Sequence, residues 1–410
     1  MNKEKILQYI NNIVTVLLVI MIGVCGYMMY NLYTLSNTVD KYNKAFEEKV
    51  GMHSEVASAL AEIHMYYDEY AIQNNPDFEL ANDFAINFFV EALNDEYATY
   101  LRPEDYTVNN NLNQDYQVGV GISVVYEQGV GLYIVEVYEG SPADKHGLKR
   151  GDIVTHVNGK YIEDVGYSYF MNEMLDEEGT IAEIKILRDG VEIEKRILRE
   201  AYDVLSVKYQ TLDNNIGYVK IGDFTHKTYK EFRDALKTLQ KSGVDKYIFD
   251  LRNNGGGYVD TVVSMLDFLV GEGTIINMTD RDGNVISSIS SDGVSEFPGE
   301  FVVIINGSSA SASELFAQTL KEYNRATVVG TNSYGKGTVV TEFKLSNGGA
   351  LMMSTGYYTT KNGTYLEDIG VQPDIHVELP EEKLHYTYNL SIDNDDQIQA
   401  AIKVLETSLG

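Results

Sequence analysis

Three hydrophobic patterns follow one another along the chain. From Ile6 to Val39 no charged residue occurs, and Ile13 to Met29 is nearly all apolar, interrupted by Thr15 and two glycines. With its flanks this stretch reaches the roughly 20 residues that a membrane-spanning helix needs. Residues 40–72 change to a helical period, with Val56, Leu60, Ile63, Tyr67 and Tyr70 recurring at spacings of three and four. Such a stripe must be covered, so a stalk docking on a second copy or on the body is expected. Asn75-Pro76 reads as an N-cap followed by proline in the first turn of a further helix, with Leu80, Phe84 and Phe88 as its buried stripe.

From about Asp115 the pattern shortens to strands with glycine turns. Gly119-Val120-Gly121-Ile122 leads into Ser123–Tyr126, followed by Leu132–Val137, the turn Gly140-Ser141-Pro142-Ala143, and Gly147-Leu148-Lys149-Arg150-Gly151-Asp152. A helix near Tyr169–Leu175 and a strand at Glu183–Leu187 complete this region. Strands and helices then alternate. Strands are expected at Ile216–Ile221, Tyr247–Leu251, Phe301–Ile305, Ala326–Val329 and Thr338–Leu345, and helices at Lys227–Ser242, Val259–Val270 and Ala312–Tyr323. The uninterrupted apolar run Phe301–Ile305 suits a strand covered on both faces, and the order is that of an α/β domain built on crossover units.

Charge and cysteine content narrow the setting. The formal charge of −29 argues against a nucleic-acid partner. The single cysteine, Cys25, lies inside the apolar N-terminal stretch, which removes thiol catalysis and zinc–thiolate sites from the rest. Lys3 and Lys5 before the stretch favour a cytoplasmic N-terminus, and no small-x-small cleavage site follows it. Val24 precedes Cys25 where a lipidation site usually carries a small residue. An uncleaved single-pass anchor is therefore expected, with the body outside the cytoplasm.

Two short runs carry the candidate chemistry. Gly307-Ser308-Ser309-Ala310-Ser311-Ala312-Ser313-Glu314 joins a core strand to a helix. Its plain reading is a capping box, Ser311 with Glu314 three residues on. A helix N-terminus also suits a nucleophile, because its orphan N–H groups favour developing negative charge. Ser308, Ser309, Ser311 and Ser313 compete for that role on composition alone. Ser333-Tyr334-Gly335-Lys336-Gly337 supplies an amine. Gly330 to Lys336 mimics a phosphate loop, but Gly337 stands where Ser or Thr is required and a strand follows. To act as a base, Lys336 must lose its proton near neutral pH, which burial favours. Asn253-Asn254-Gly255-Gly256-Gly257 follows a core strand, where α/β sheets place their sites. Its glycines let backbone N–H groups approach a reacting carbonyl. None of His226, His376 and His385 lies in these turns, and no paired-histidine spacing suggests a metal.

In this order the three runs resemble the carboxyl-terminal processing protease family, Ser–Lys peptidases with an inserted PDZ domain. The resemblance covers roughly residues 76–408. It rests on Asp250-Leu251-Arg252-Asn253-Asn254-Gly255-Gly256, Ser309–Glu314, Tyr334-Gly335-Lys336-Gly337, the tail Gly370-Val371-Gln372-Pro373-Asp374 and a final helix around Gln397–Leu405. It implies Ser311 as nucleophile, Lys336 as base, and an oxyanion hole from Gly255, Gly256 and Ala312. Residues 116–200 resemble a PDZ domain, which implies a peptide site on Gly119, Val120, Gly121, Ile122, Ser123 and Val124. The family usually carries Gln four residues after the Lys; here that residue is Val340, which leaves three readings: Glu342, one pleat on along the same face, substitutes, Lys336 works with no third partner, or catalysis is impaired.

The expectation is a mixed-sheet Ser–Lys peptidase core with an inserted PDZ domain, split as 76–115, 116–200 and 201–380 after an anchor (1–35) and helical stalk (36–75), with a C-terminal tail and helix at 381–410. It is an extracytoplasmic endopeptidase acting on the C-terminal regions of proteins or peptides, homodimeric through its stalk, with no metal or organic cofactor. The competing expectation is a catalytically impaired scaffold that recruits partners at the membrane.

Overall fold

The computed structural model describes residues 54–407 apart from 73–75, 104, 107–115, 128, 176, 295–296, 381–382 and 384–389; ahead of them it describes only Met21, Tyr33, Ser36 and Lys44. The apolar stretch expected to cross a membrane thus lies outside the described residues. Among the described residues no helix is long and apolar enough to do so.

Helix α1 (Ser54–Tyr70) carries the expected stripe, and Val56, Leu60, Ile63, Tyr67 and Tyr70 on it are all exposed. Helix α2 (Phe78–Glu91) is capped by Asp77, whose Oδ1 accepts the Leu80 N–H at 2.9 Å, so the helix begins after Pro76 and not at it. Its expected buried stripe is open: Leu80, Phe84 and Phe88 are exposed, and Val90 is its buried residue. Strand β1 (Thr99–Leu101) follows.

A β-rich module comes next. Strand β2 (Tyr116–Gly119) enters it. Strands β3 (Ile122–Glu127), β4 (Gly131–Val137), β5 (Ile153–Val157), β6 (Lys160–Tyr161), β7 (Ile181–Arg188) and β8 (Val191–Leu198) build its sheet, with a short helix α3 (Pro142–Lys145) and helix α4 (Ile162–Met174). The order is β3-β4-β5-β7-β8, which leaves β3 at an edge, and β6 pairs with β5. Helix α4 begins seven residues before the expected Tyr169, its Ile162, Phe170 and Met174 buried beside Leu132, Val154 and Ile184. Strand β9 (Glu200–Asp203) leaves the module antiparallel to β2.

The larger domain runs β10 (Val207–Thr211), β11 (Ile216–Ile221), α5 (Thr228–Lys241), β12 (Lys246–Asp250), α6 (Val259–Leu269), β13 (Gly273–Thr279), β14 (Val285–Ser291), β15 (Glu300–Ile305), α7 (Ala312–Glu322), β16 (Ala326–Gly330), β17 (Thr338–Lys344), β18 (Ala350–Thr359), β19 (Ile375–His376) and α8 (Asp396–Thr407). One sheet has the order β10-β11-β12-β15-β16-β19, parallel from β11 onward. Alternation along β12 and β15 sends Tyr247, Phe249, Phe301 and Val303 to the face covered by α5, α6 and α7. It sends Ile248, Val302 and Ile304 to the face under Ile398, Ala401 and Leu405 of α8. Both faces are dry, which is why these strands read as continuous apolar runs. Phe249 sits 5.2 Å from Phe232 of α5 and 5.8 Å from Phe316 of α7. Each such ring contributes about 1.5–3 kcal/mol by its burial. A second sheet, β1-β18-β13-β14 with β17 on β18, joins the chain before the β-rich module to the chain after it. Its strands β13, β14 and β18 were not apparent from the sequence.

Candidate active site

The site lies where the parallel strands β12 and β15 end in glycine- and serine-rich turns, the carboxyl edge at which α/β sheets bind ligands. The two turns are laced together. Asn253 and Asn306 exchange bonds, Asn253 N–H to Asn306 Oδ1 at 3.0 Å and Asn306 Nδ2 to Asn253 Oδ1 at 2.8 Å. Buried Asn254 donates to the Ile221 carbonyl at 3.0 Å, while its own carbonyl accepts the Ala310 N–H and the Ser313 hydroxyl.

These bonds separate the four serines. Ser309 and Ser313 are buried, their hydroxyls bound to the carbonyls of Leu251 and Asn254, each at 2.9 Å. Ser308 is exposed in the turn. Ser311 is half-buried at the N-cap of α7, with φ 54° and ψ −113°. Only a few per cent of non-glycine residues take a positive φ, and such backbone costs of order 1–3 kcal/mol. The surroundings enforce it. A Cβ on Gly256 would stand 2.9 Å from Ser311 Cβ and 3.1 Å from the Ala312 nitrogen, so only glycine lets this turn approach.

Glu314 binds the second run to the first. Its buried carboxylate accepts the N–H of Ser311 at 2.7 Å and of Lys336 at 2.8 Å on one oxygen. The other oxygen accepts the Gly335 N–H at 2.7 Å and the Ser333 hydroxyl at 2.6 Å. Burial pushes this carboxyl above its ordinary range, against the pull of those four donors. Tyr358 of β18 closes the other side, its hydroxyl 2.7 Å from the Lys336 carbonyl and 3.1 Å from that of Ser311. The backbones of Ser311 and Lys336 are therefore neighbours. The Lys336 Nζ rests 4.3 Å from the centre of the Tyr97 ring. Gly337 lets the chain lie flat there, since a Cβ on it would meet the Glu367 nitrogen at 2.5 Å.

Two expected placements differ. The Gly256 N–H is already given to Asn254 Oδ1 at 2.9 Å, so as an oxyanion donor it would first have to leave that bond. Gly255, exposed, and Ala312, the first residue of α7, carry no such engagement here. Glu342 is exposed, accepts the Tyr106 hydroxyl at 2.8 Å, and is not the group beside Lys336. Val340 lies opposite Ser354 in β18. The anion whose charge meets that of Lys336 is Asp95: partial burial works against its ionised form, but bonds from the Ser354 N–H and hydroxyl and the Tyr97 N–H, with the Lys336 charge, hold its carboxyl below the usual value. Asp95, Tyr97 and Tyr358 carry no local motif, and periodicity had no means of finding them.

In the β-rich module, Val120 is buried with its N–H on the Met174 carbonyl, so it is not an open donor. Gly121, at φ +84°, packs against Ser141, where a Cβ would meet Ser141 Cβ at 2.2 Å. Ile122, Ser123 and Val124 follow on the edge strand β3, and the Tyr126 hydroxyl reaches Glu163 of α4 at 3.1 Å.

Comparison with known proteins agrees with this architecture. Peptidase family S41 matches residues 215–377, and a PDZ domain matches residues 133–169. A carboxy-terminal-processing protease of Bartonella bacilliformis is 34% identical over 279 residues, 66% of this chain and 63% of that protein. A CtpA-like serine protease of Staphylococcus aureus is 28% identical over 98% of this chain and 80% of its own length. The structure of a photosystem II D1 C-terminal processing protease superposes with a TM-score of 0.50 at 26% identity, covering 77% of this chain and 86% of that one. The chain thus spans under two thirds of the Bartonella relative and more of the others. Fold and matches together define a serine-type peptidase of family S41 joined to a PDZ domain. Its relatives include proteins named carboxy-terminal-processing proteases.

Proposed function

We propose that this chain is a membrane-anchored, extracytoplasmic endopeptidase in which Ser311 and Lys336 form the catalytic pair. The observation that carries the reading is the convergence of the Ser311 and Lys336 N–H groups on one oxygen of Glu314. Ser311 Oγ attacks the carbonyl carbon of the scissile amide, and its proton passes to the neutral Lys336 Nζ. The oxyanion is held by the N–H groups of Gly255 and Ala312, the latter at the positive end of α7. As the C–N bond breaks, the Lys336 ammonium returns a proton to the leaving amine. Water, deprotonated by Lys336, then cleaves the acyl ester and frees Ser311. In this reading the PDZ domain adds the C-terminal region of a substrate as a further strand on β3. The apolar stretch before α1 anchors the chain with its N-terminus in the cytoplasm, and the exposed stripe of α1 pairs two copies.

The test is cleavage of casein or a peptide by the detergent-purified full chain. Loss of turnover in both Ser311→Ala and Lys336→Ala supports the reading. An inert parent chain would instead favour a recruiting scaffold.

A further inference from the structure

We propose that Tyr97 is a positioning residue of this reaction: its ring carries the ammonium that Lys336 becomes when it takes the Ser311 proton. The inference rests on the Ser311–Lys336 reading above. Lys336 Nζ lies 4.3 Å from the ring centre, well inside the roughly 6 Å over which an aromatic face attracts a cation. Both residues are half-buried, so water screens the attraction less than at an open surface.

The ring is held in place. The Tyr97 N–H donates to Asp95 Oδ1 at 3.1 Å, and the same carboxylate accepts the Ser354 hydroxyl and N–H, each at 2.8 Å. Ser354 faces Val340, the strand residue four past Lys336. The turn between α2 and β1 is thus stapled to β18 beside the strand that Lys336 leads into. Val340 has no polar atom with which to steer the amine. A fixed ring does so without a hydrogen bond, and it favours the protonated form over the neutral one.

Other charged and titratable groups surround the Tyr97 ring and the Lys336 backbone. Asp95 and Glu96 come from the turn, with Glu96 accepting the Tyr334 hydroxyl at 3.1 Å. Glu314 comes from α7, Tyr358 from β18, and Glu367 and Asp368 from the loop ahead of β19. Tyr97→Leu and Tyr97→Phe both lose the hydroxyl on which Glu367, Glu96 and Asp368 act, so the difference between the two variants isolates the ring's effect.

Two measurements on the full chain in detergent test the inference. In the pH profile of kcat/KM, Tyr97→Leu should move the acid-side midpoint down by about half a unit to one unit and lower the plateau several-fold. Tyr97→Phe, which keeps the ring, should retain the parent midpoint. The second measurement needs no turnover: in Ser311→Ala protein labelled with [6-13C]lysine, the resonance that disappears in Lys336→Arg should titrate lower by the same amount in Tyr97→Leu and not in Tyr97→Phe. An unmoved resonance in Tyr97→Leu, or a Phe variant that behaves like Leu, overturns the role of Tyr97. A parent chain without activity overturns the peptidase reading instead, and the lysine titration still decides whether the ring holds the ammonium.

Discussion

Ser311 and Lys336, 25 positions apart in the chain, place their N–H groups on the same carboxylate oxygen of Glu314, at 2.7 and 2.8 Å. The glutamate that a capping box uses for one helix end here positions two segments at once. Glu314→Gln would put amide hydrogens where four donors need acceptors, at a cost of about 1–3 kcal/mol for each buried group left unsatisfied. The expected result is a lower urea midpoint together with peptide turnover reduced at least about 100-fold, since small displacements of reacting groups cost that much. Near-parent turnover in a folded Gln variant would show that the shared carboxylate is dispensable.

Gly256→Ala tests the close approach of the two strand-end turns. At φ +116° an alanine is strained, and its Cβ would lie 2.9 Å from that of Ser311. A stability loss of about 1–3 kcal/mol is expected from the backbone alone. Thermal unfolding and turnover should both fall. Substitution of Gly255, where a Cβ meets nothing within 4 Å, should cost less stability.

Acid should loosen the chain at Asp250. This residue is buried at the end of β12, with Tyr218 at 2.6 Å, Lys220 at 3.1 Å and Arg252 at 2.7 Å. Burial alone would raise its pKa, but the Lys220 and Arg252 charges hold it well below the ordinary 3.8. A carboxyl depressed in the folded state adds stability above its unfolded pKa and forfeits it as pH falls further. Stability should therefore drop between pH ~5 and pH ~3, and Asp250→Asn should flatten that slope while lowering stability at neutral pH. Arg252 also reaches Asp395 at 2.7 Å and Gln397 at 3.0 Å, at the start of α8. Arg252→Met should cost about 3–5 kcal/mol by stranding buried charge. Urea titrations across that pH range check both variants.

The doubly covered sheet was readable because burial on both faces writes itself as unbroken apolar runs, and β11, β12, β15 and α7 fall within a residue or two of expectation. The second sheet was not readable. Val285 and Ile286 of β14 are exposed, its Ser287, Ser288 and Ser290 dilute the pattern, and β1 finds its partner β18 about 250 positions away. The serine run marked a helix entrance but not which hydroxyl faces outward; that depended on carbonyls of Leu251 and Asn254 in another turn. Asp95 and Tyr97 reach Lys336 only through tertiary folding, so the missing polar side chain at Val340 looked like a loss when read in isolation.

The pairing of β2 with β9 sets Tyr116 directly across from Asp203 and Gly119 across from Glu200. Departure and return of the β-rich module thus occur through a single ribbon two strands wide. Cutting the module out beyond that ribbon would leave two ends already held side by side, with the sheet that carries Ser311 uncut.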